Sequence, residues 1–110
     1  FVTIAYGVII FTQSDDYHGG SLTNSTIPKK YKNEKKIKVL LKRHSIVGSG
    51  SIILPGVVLE VGVSVGAMTL VTKATDPWGI YVGIPAVKIR ERGKELIKKE
   101  MKYLKNYNKE

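Results

Sequence analysis

The chain is 110 residues long, carries 18 Lys+Arg against 9 Asp+Glu for a formal charge of +9, and has no cysteine. That length fits one small domain, the missing thiols exclude a disulfide-stapled scaffold or a thiolate metal centre, and two isolated histidines argue against a His-built one. A hydrophobic fraction of 43% excludes a disordered tail, no apolar run approaches the roughly 20 residues of a membrane-spanning helix, and the expected setting is cytoplasmic without membrane insertion.

The charge is uneven. Residues 1–28 carry −2, residues 29–43 carry +7, residues 44–84 carry −1 and residues 85–110 carry +5. Two basic segments therefore flank a nearly neutral middle whose one Lys or Arg is Lys73. Lys29-Lys30-Tyr31-Lys32 is a basic run holding an aromatic, which also fits nucleic acid. No recognised nucleic-acid motif accompanies it, so a solvated loop is expected and no nucleic-acid partner.

In chain order, Ile4-Ala5-Tyr6-Gly7-Val8-Ile9-Ile10 comes first, and it shares its layout with Ile53-Leu54-Pro55-Gly56-Val57-Val58-Leu59. From about residue 15 to 37 the sequence is irregular and rich in Ser, Thr, Asn, Gly and Lys, the composition of a functional loop. An aliphatic residue then recurs at every sixth position: Leu41, Val47, Ile53, Leu59, Val65 and Val71. Four places after each comes a small or β-branched residue, Ser45, Ser51, Val57, Val63, Thr69 and Thr75.

Six steps of a helix turn a residue by about 240°, so these aliphatic positions share no helical face. A short strand and a turn per hexad satisfies the pattern. Three hexads close a triangular coil of about 18 residues, and coils stack at the ~4.8 Å strand spacing with the aliphatic residues inside. Gly50, Gly56 and Gly62 mark the corners, and His44, at the equivalent place, is expected at a solvent-facing corner. After Asp76-Pro77 the period stops, Gly83-Ile84-Pro85 makes a turn, and residues 85–108 read as a helix with Leu96, Ile97, Met101 and Leu104 on one stripe.

Two segments, Ile46-Val47-Gly48-Ser49-Gly50-Ser51-Ile52-Ile53-Leu54-Pro55-Gly56-Val57 and Gly79-Ile80-Tyr81-Val82-Gly83-Ile84-Pro85-Ala86, resemble the hexapeptide-repeat acetyltransferases. The loop Ser14-Asp15-Asp16-Tyr17-His18-Gly19-Gly20-Ser21-Leu22-Thr23-Asn24 is similar to that of sugar O-acetyltransferases of surface-polysaccharide pathways. The resemblance implies an all-β fold: a left-handed parallel β-helix of hexapeptide repeats over residues 1–84, with a protruding loop at about 15–37 and a C-terminal α-helix at 85–110. The hand comes from the resemblance alone, since a period of six does not reveal it.

The resemblance further implies a homotrimer that moves an acetyl group from acetyl-CoA to a sugar hydroxyl, a polysaccharide unit or free sugar, with a His as general base. An amino-sugar N-acetyltransferase, a catalytically inactive β-helix fragment and a nucleic-acid-binding basic protein are the alternatives. The chain opens at Phe1 as if inside an element, and its length is small for an independent β-helix, which predicts partner subunits and further N-terminal coils.

A hydroxyl attacking a thioester must lose its proton, and His is the side chain matched to that task near pH 7. His18 is the candidate base, with Asp15 and Asp16 to orient its ring; the bland reading of the carboxylates is turn capping. In related maltose and galactoside acetyltransferases the catalytic His aligns with Asp15, so His18 is either its displaced equivalent or a loop residue. Tyr17, Asn24 and Thr26 are candidates for holding sugar hydroxyls, or ordinary loop hydrogen-bonders.

For acetyl-CoA, the resemblance puts Ser49, Gly66 and Ala67 along the pantetheine arm, Thr72 and Lys73 further up, and Lys88 and Arg90 towards the phosphates, where Arg and Lys geometry suits. The family often has a basic residue where this chain has Val87, next to Lys88. A coil demands small residues at 49, 67 and 72 in any case. Trp78 and Tyr81 either cover the adenine or seal the end of the prism.

Overall fold

The structure, a computed structural model, describes residues 1–107. The two-residue strands follow the predicted hexads: β1 (Thr3–Ile4), β2 (Ile9–Ile10), then, beyond the loop, β5 (Leu40–Leu41), β6 (Ile46–Val47), β7 (Ile52–Ile53), β8 (Val58–Leu59), β9 (Ser64–Val65) and β10 (Leu70–Val71). Within the loop, β3 (Gln13–Ser14) and β4 (Lys35–Lys36) form an antiparallel pair.

Three parallel ladders build the three faces of the coil. On the first, β1 pairs with β6 and β6 with β9; on the second, β2 and β10 flank β7; on the third, β5 pairs with β8. Equivalent residues lie eighteen apart, as in Val47↔Val65, Ile53↔Val71 and Leu41↔Leu59. A single residue per hexad from each face fills the interior, and Val47, Ile53 and Leu59 are fully buried there. The residues four places later, Ser45, Ser51, Val57, Val63, Thr69 and Thr75, are buried beside them. The Ser51 hydroxyl satisfies the coil backbone: its Oγ donates to the Gly66 carbonyl at 2.8 Å and accepts the Thr69 N–H at 3.2 Å.

The corners carry left-handed backbone at a period of six. His44, Gly50, Gly56, Gly62 and Met68 have φ of 64°, 72°, 81°, 74° and 54°. Space makes Gly obligatory at Gly62, where a Cβ would lie 2.3 Å from the Trp78 ring.

The C-terminal segment departs from the sequence expectation. Residues 85–108 do not form one helix: β12 (Val87–Glu91) returns antiparallel to β11 (Gly79–Val82), and α1 runs only from Glu95 to Tyr107. Asn108 lies outside the described residues. The physical reason is the alternation Val87-Lys88-Ile89-Arg90 after a tight turn, which suits an edge strand, whereas Gly93 ends it before the first sustained helix formers. On the helical stripe Leu96 is half-buried, while Ile97, Met101 and Leu104 stay exposed.

His44 is at a corner but does not face solvent. α1 folds back over it, so that the side chain is 9% exposed, its Nε2 lies 2.5 Å from Glu100 Oε2, and Phe1 stacks on its ring at 5.5 Å. Arg43 also pairs with Glu100, and Arg92 donates to the carbonyls of His44 and Gly62 at 2.6 and 3.1 Å. The Arg43 hydrogen bond, and secondarily His44, holds the Glu100 carboxyl below its ordinary value against the opposing effect of burial. Among the described residues no helix is long and apolar enough to cross a membrane.

Candidate active site

The loop leaves the coil at the corner that follows β2 and returns with Ile37, whose N–H donates to the Thr12 carbonyl at 2.9 Å. Beyond the β3–β4 pair it is held by the Leu22↔Lys32 bridge and a single 3₁₀ turn at Lys29–Tyr31. It is therefore a braced excursion with its own backbone pairing.

Ser14, Asp15, Asp16, Tyr17, His18 and Asn33 line one concavity at its base. The structure thus gathers both candidate carboxylates with His18. It does not join them as a ring-orienting pair, because Asp16 Oδ1 accepts the His18 backbone N–H at 2.8 Å, the geometry of a turn cap. Tyr17 and His18 are exposed there. Asn24, at φ 85°, uses its Oδ1 to accept from both the N–H and the hydroxyl of Thr26, at 3.1 Å each, so these two polar side chains serve their own turn.

The residues considered for the acyl donor fall at a corner, along a cleft and on β12. Ser49 and Ala67 stack on the corner, where the Met68 N–H donates to the Ser49 carbonyl at 2.9 Å. Gly48 and Gly66 let the coils meet there, since a Cβ on Gly48 would come within 2.6 Å of the Ala67 nitrogen and one on Gly66 within 2.7 Å of Val82. Thr72, Lys73 and Lys88 line a separate cleft with Tyr81, Ala86 and Val87. Lys88 is engaged by Glu91 at 2.6 Å and lies 3.9 Å from Asp76. The Glu91 contact raises its pKa.

Arg90 is exposed on β12 opposite Ile80, apart from both groups. Tyr81 is buried at the end of the coil, where its hydroxyl accepts the Asp76 N–H at 2.7 Å, and it also forms part of the wall of the cleft that holds Thr72, Lys73 and Lys88. Trp78 covers Gly62 beneath Arg92 and Lys94.

Sequence reasoning missed Asn33 and Ser14 as walls of the loop concavity. Ser14 was in view as part of the loop motif, but Asn33 is nineteen or so positions on within a lysine run, and only the β3–β4 pairing brings it back.

No protein-family model matches the chain. It is 35% identical over 100 residues to the dTDP-4-amino-4,6-dideoxy-D-glucose acyltransferase of Escherichia coli, covering 91% of this chain and 52% of that one. Its structure superposes on AntD, an N-acyltransferase from Bacillus cereus solved with dTDP and 3-hydroxybutyryl-CoA, with a TM-score of 0.93 and 44% identity, over 98% of this chain and 57% of AntD. The chain belongs to the hexapeptide-repeat acetyltransferases. Further from it stands a maltose O-acetyltransferase from Clostridium difficile, with a TM-score of 0.69, 26% identity, and coverage of 84% of this hexapeptide-repeat chain and 46% of the other. The chain spans about half the length of the curated relative it matches, as the 52% coverage states.

Proposed function

We propose that this hexapeptide-repeat chain carries the acceptor loop and part of the donor groove of an acyl-CoA-dependent N-acyltransferase acting on a nucleotide-linked amino sugar. The observation that carries this reading is the likeness to AntD over 98% of the chain, loop included, against 84% and a lower TM-score for the maltose O-acetyltransferase. An amine acceptor therefore replaces the sugar hydroxyl expected from the loop motif, with O-acylation the alternative. The coil is taken as left-handed and the working form as a homotrimer, as the family resemblance implies.

Acyl-CoA, when bound, supplies the acyl group as a thioester. Ser49, Gly66 and Ala67 offer a corner bearing nothing larger than a hydroxymethyl or methyl group, which fits a slender pantetheine chain. Lys73, exposed beside Thr72, is the freer cation for a phosphate, whereas Lys88 is occupied by Glu91. Arg90 is a further cation on β12.

An ammonium acceptor is not nucleophilic until it gives up a proton, and its N–C bond forms as the C–S bond breaks. His18, Tyr17 and the Asp15 and Asp16 carboxylates line the concavity where that proton would be taken, while Asn24 holds the turn further along the same loop. A carboxylate also steadies the ammonium before transfer, which suits two acidic residues better to an amine than to a neutral hydroxyl.

The test is release of CoA thiol on mixing the protein with acetyl-CoA and either dTDP-4-amino-4,6-dideoxyglucose or maltose. The chain has no cysteine, so a thiol reagent reads CoA without background from the protein. Turnover with the amino sugar alone is expected, and turnover with maltose alone would overturn the reading. His18→Ala is expected to lower amino-sugar turnover by about a hundredfold. Near-normal turnover would remove His18 as the base.

A further inference from the structure

A second concavity in the loop, about 210 Å³ in volume, is lined by Lys29, Lys32, Asn33, Glu34 and Lys36. Its lysines are carried on fixed backbone. Lys29 opens the 3₁₀ turn, Lys32 closes it with an N–H to the Lys29 carbonyl at 3.0 Å, and Lys36 sits on β4 opposite Gln13. Leu22 and Tyr31 tie the two sides together through an N–H to carbonyl bond of 2.8 Å.

Glu34 does not cancel this charge. Its carboxylate is spoken for by Lys32 Nζ at 2.5 Å and by Gln13 Nε2 at 2.8 Å, and the Lys32 hydrogen bond keeps its pKa below the ordinary value. With its side chain only 8% exposed, Lys32 forms with Glu34 the neutral floor of the pocket. Among the described residues neither Lys29 nor Lys36 has a carboxylate within 4.0 Å, so the walls present two positive charges to whatever enters. Two cations carried on fixed backbone about a small concavity are suited to a group with two negative phosphates rather than to a single carboxylate.

Asn33 lines both this concavity and the one holding Asp15, Asp16 and His18. The two are neighbours across one residue, one basic and one acidic. Resting on the function proposed above, we propose that the lysine pocket holds the pyrophosphate of the nucleotide-linked acceptor, with Asn33 as the shared wall across which the sugar ring carries its amine to the carboxylates and His18. A nucleotide-linked amino sugar has this polarity, a dianionic end and a cationic end separated by one ring. Coenzyme A also contains a pyrophosphate, and the experiment separates the two sources.

The experiment is calorimetric titration of the wild-type protein and of Lys29→Ala/Lys36→Ala with dTDP and, separately, with coenzyme A. Both lysines are exposed, and circular dichroism with a melting curve checks that the variant is folded; Lys29→Glu serves as an independent second variant. Loss of two charge-assisted contacts is expected to weaken dTDP by about tenfold or more, to flatten the salt dependence of its binding, and to leave coenzyme A unchanged. Unchanged dTDP affinity in both variants overturns the proposal, as does a wild-type protein that takes up no dTDP. A loss confined to coenzyme A overturns it too, by assigning the lysines to the donor. If wild-type protein binds dTDP through these lysines yet transfers no acyl group to the amino sugar, the pocket stands and the proposed function falls.

Discussion

Ile10 and Ile53 are the same amino acid at the same place in the repeat and are register partners in one ladder, yet they should respond very differently to truncation. Ile53 is 0% exposed and has strands on both sides, β2 and β10; Ile10 is 36% exposed. Ile→Ala removes three carbons, at about 0.8 kcal/mol each when buried, or about 2.4 kcal/mol at Ile53. The hydrogen-bonded ladders cannot collapse into the space, so a cavity term brings the expected loss to about 3–4 kcal/mol. At Ile10 the transfer term scales to about 1.5 kcal/mol, and the accessible site leaves no closed cavity. Urea unfolding at one fixed protein concentration should therefore separate I53A from I10A by about 2 kcal/mol. Equal losses would refute the reasoning that Ile53, enclosed between two strands, fills a closed interior that Ile10 only borders.

Three further outcomes follow from a corner, the helix and the loop. Gly62→Ala places a Cβ against Trp78 in left-handed backbone, so a destabilisation of about 1–2 kcal/mol from the backbone alone is expected. Because Trp78 is the one tryptophan, its emission should shift in the same variant, and an unaltered spectrum would count against the contact. Glu100 has a lowered pKa in the folded chain, so its contribution is complete above the ordinary carboxylate value of 4.5 and fades as pH falls below that, through the folded value. Glu100→Gln should then be less stable than wild type at pH 7, with the gap narrowing in acid; a gap independent of pH would show that the charge is not what matters. Asn33→Ala should raise the KM for the amino-sugar acceptor more than that for acyl-CoA, measured by the same thiol-release assay.

The period of six determined the coil. It placed Val47, Ile53 and Leu59 in the interior, Ser51 and Thr69 beside them, and left-handed backbone at His44, Gly50, Gly56, Gly62 and Met68, because each hexad repeats one local geometry. Local chemistry likewise marked Ser14 to Asn24 as the acidic loop. What the sequence did not reveal depends on elements far apart in the chain. Val87–Glu91 became a strand because β11 offered it a free edge, and His44 lost its solvent because Glu100, fifty-six residues later, folded onto it. The same holds for the candidate site. Lys29, Lys32 and Lys36 belong to a solvated run in the sequence; the β3–β4 pairing and the Lys32–Glu34 contact turn these three into a wall shared, through Asn33, with Asp15, Asp16 and His18. Repetition writes short-range structure directly into sequence, whereas the meeting of non-repeating segments is set by packing and charge that only the folded chain brings together.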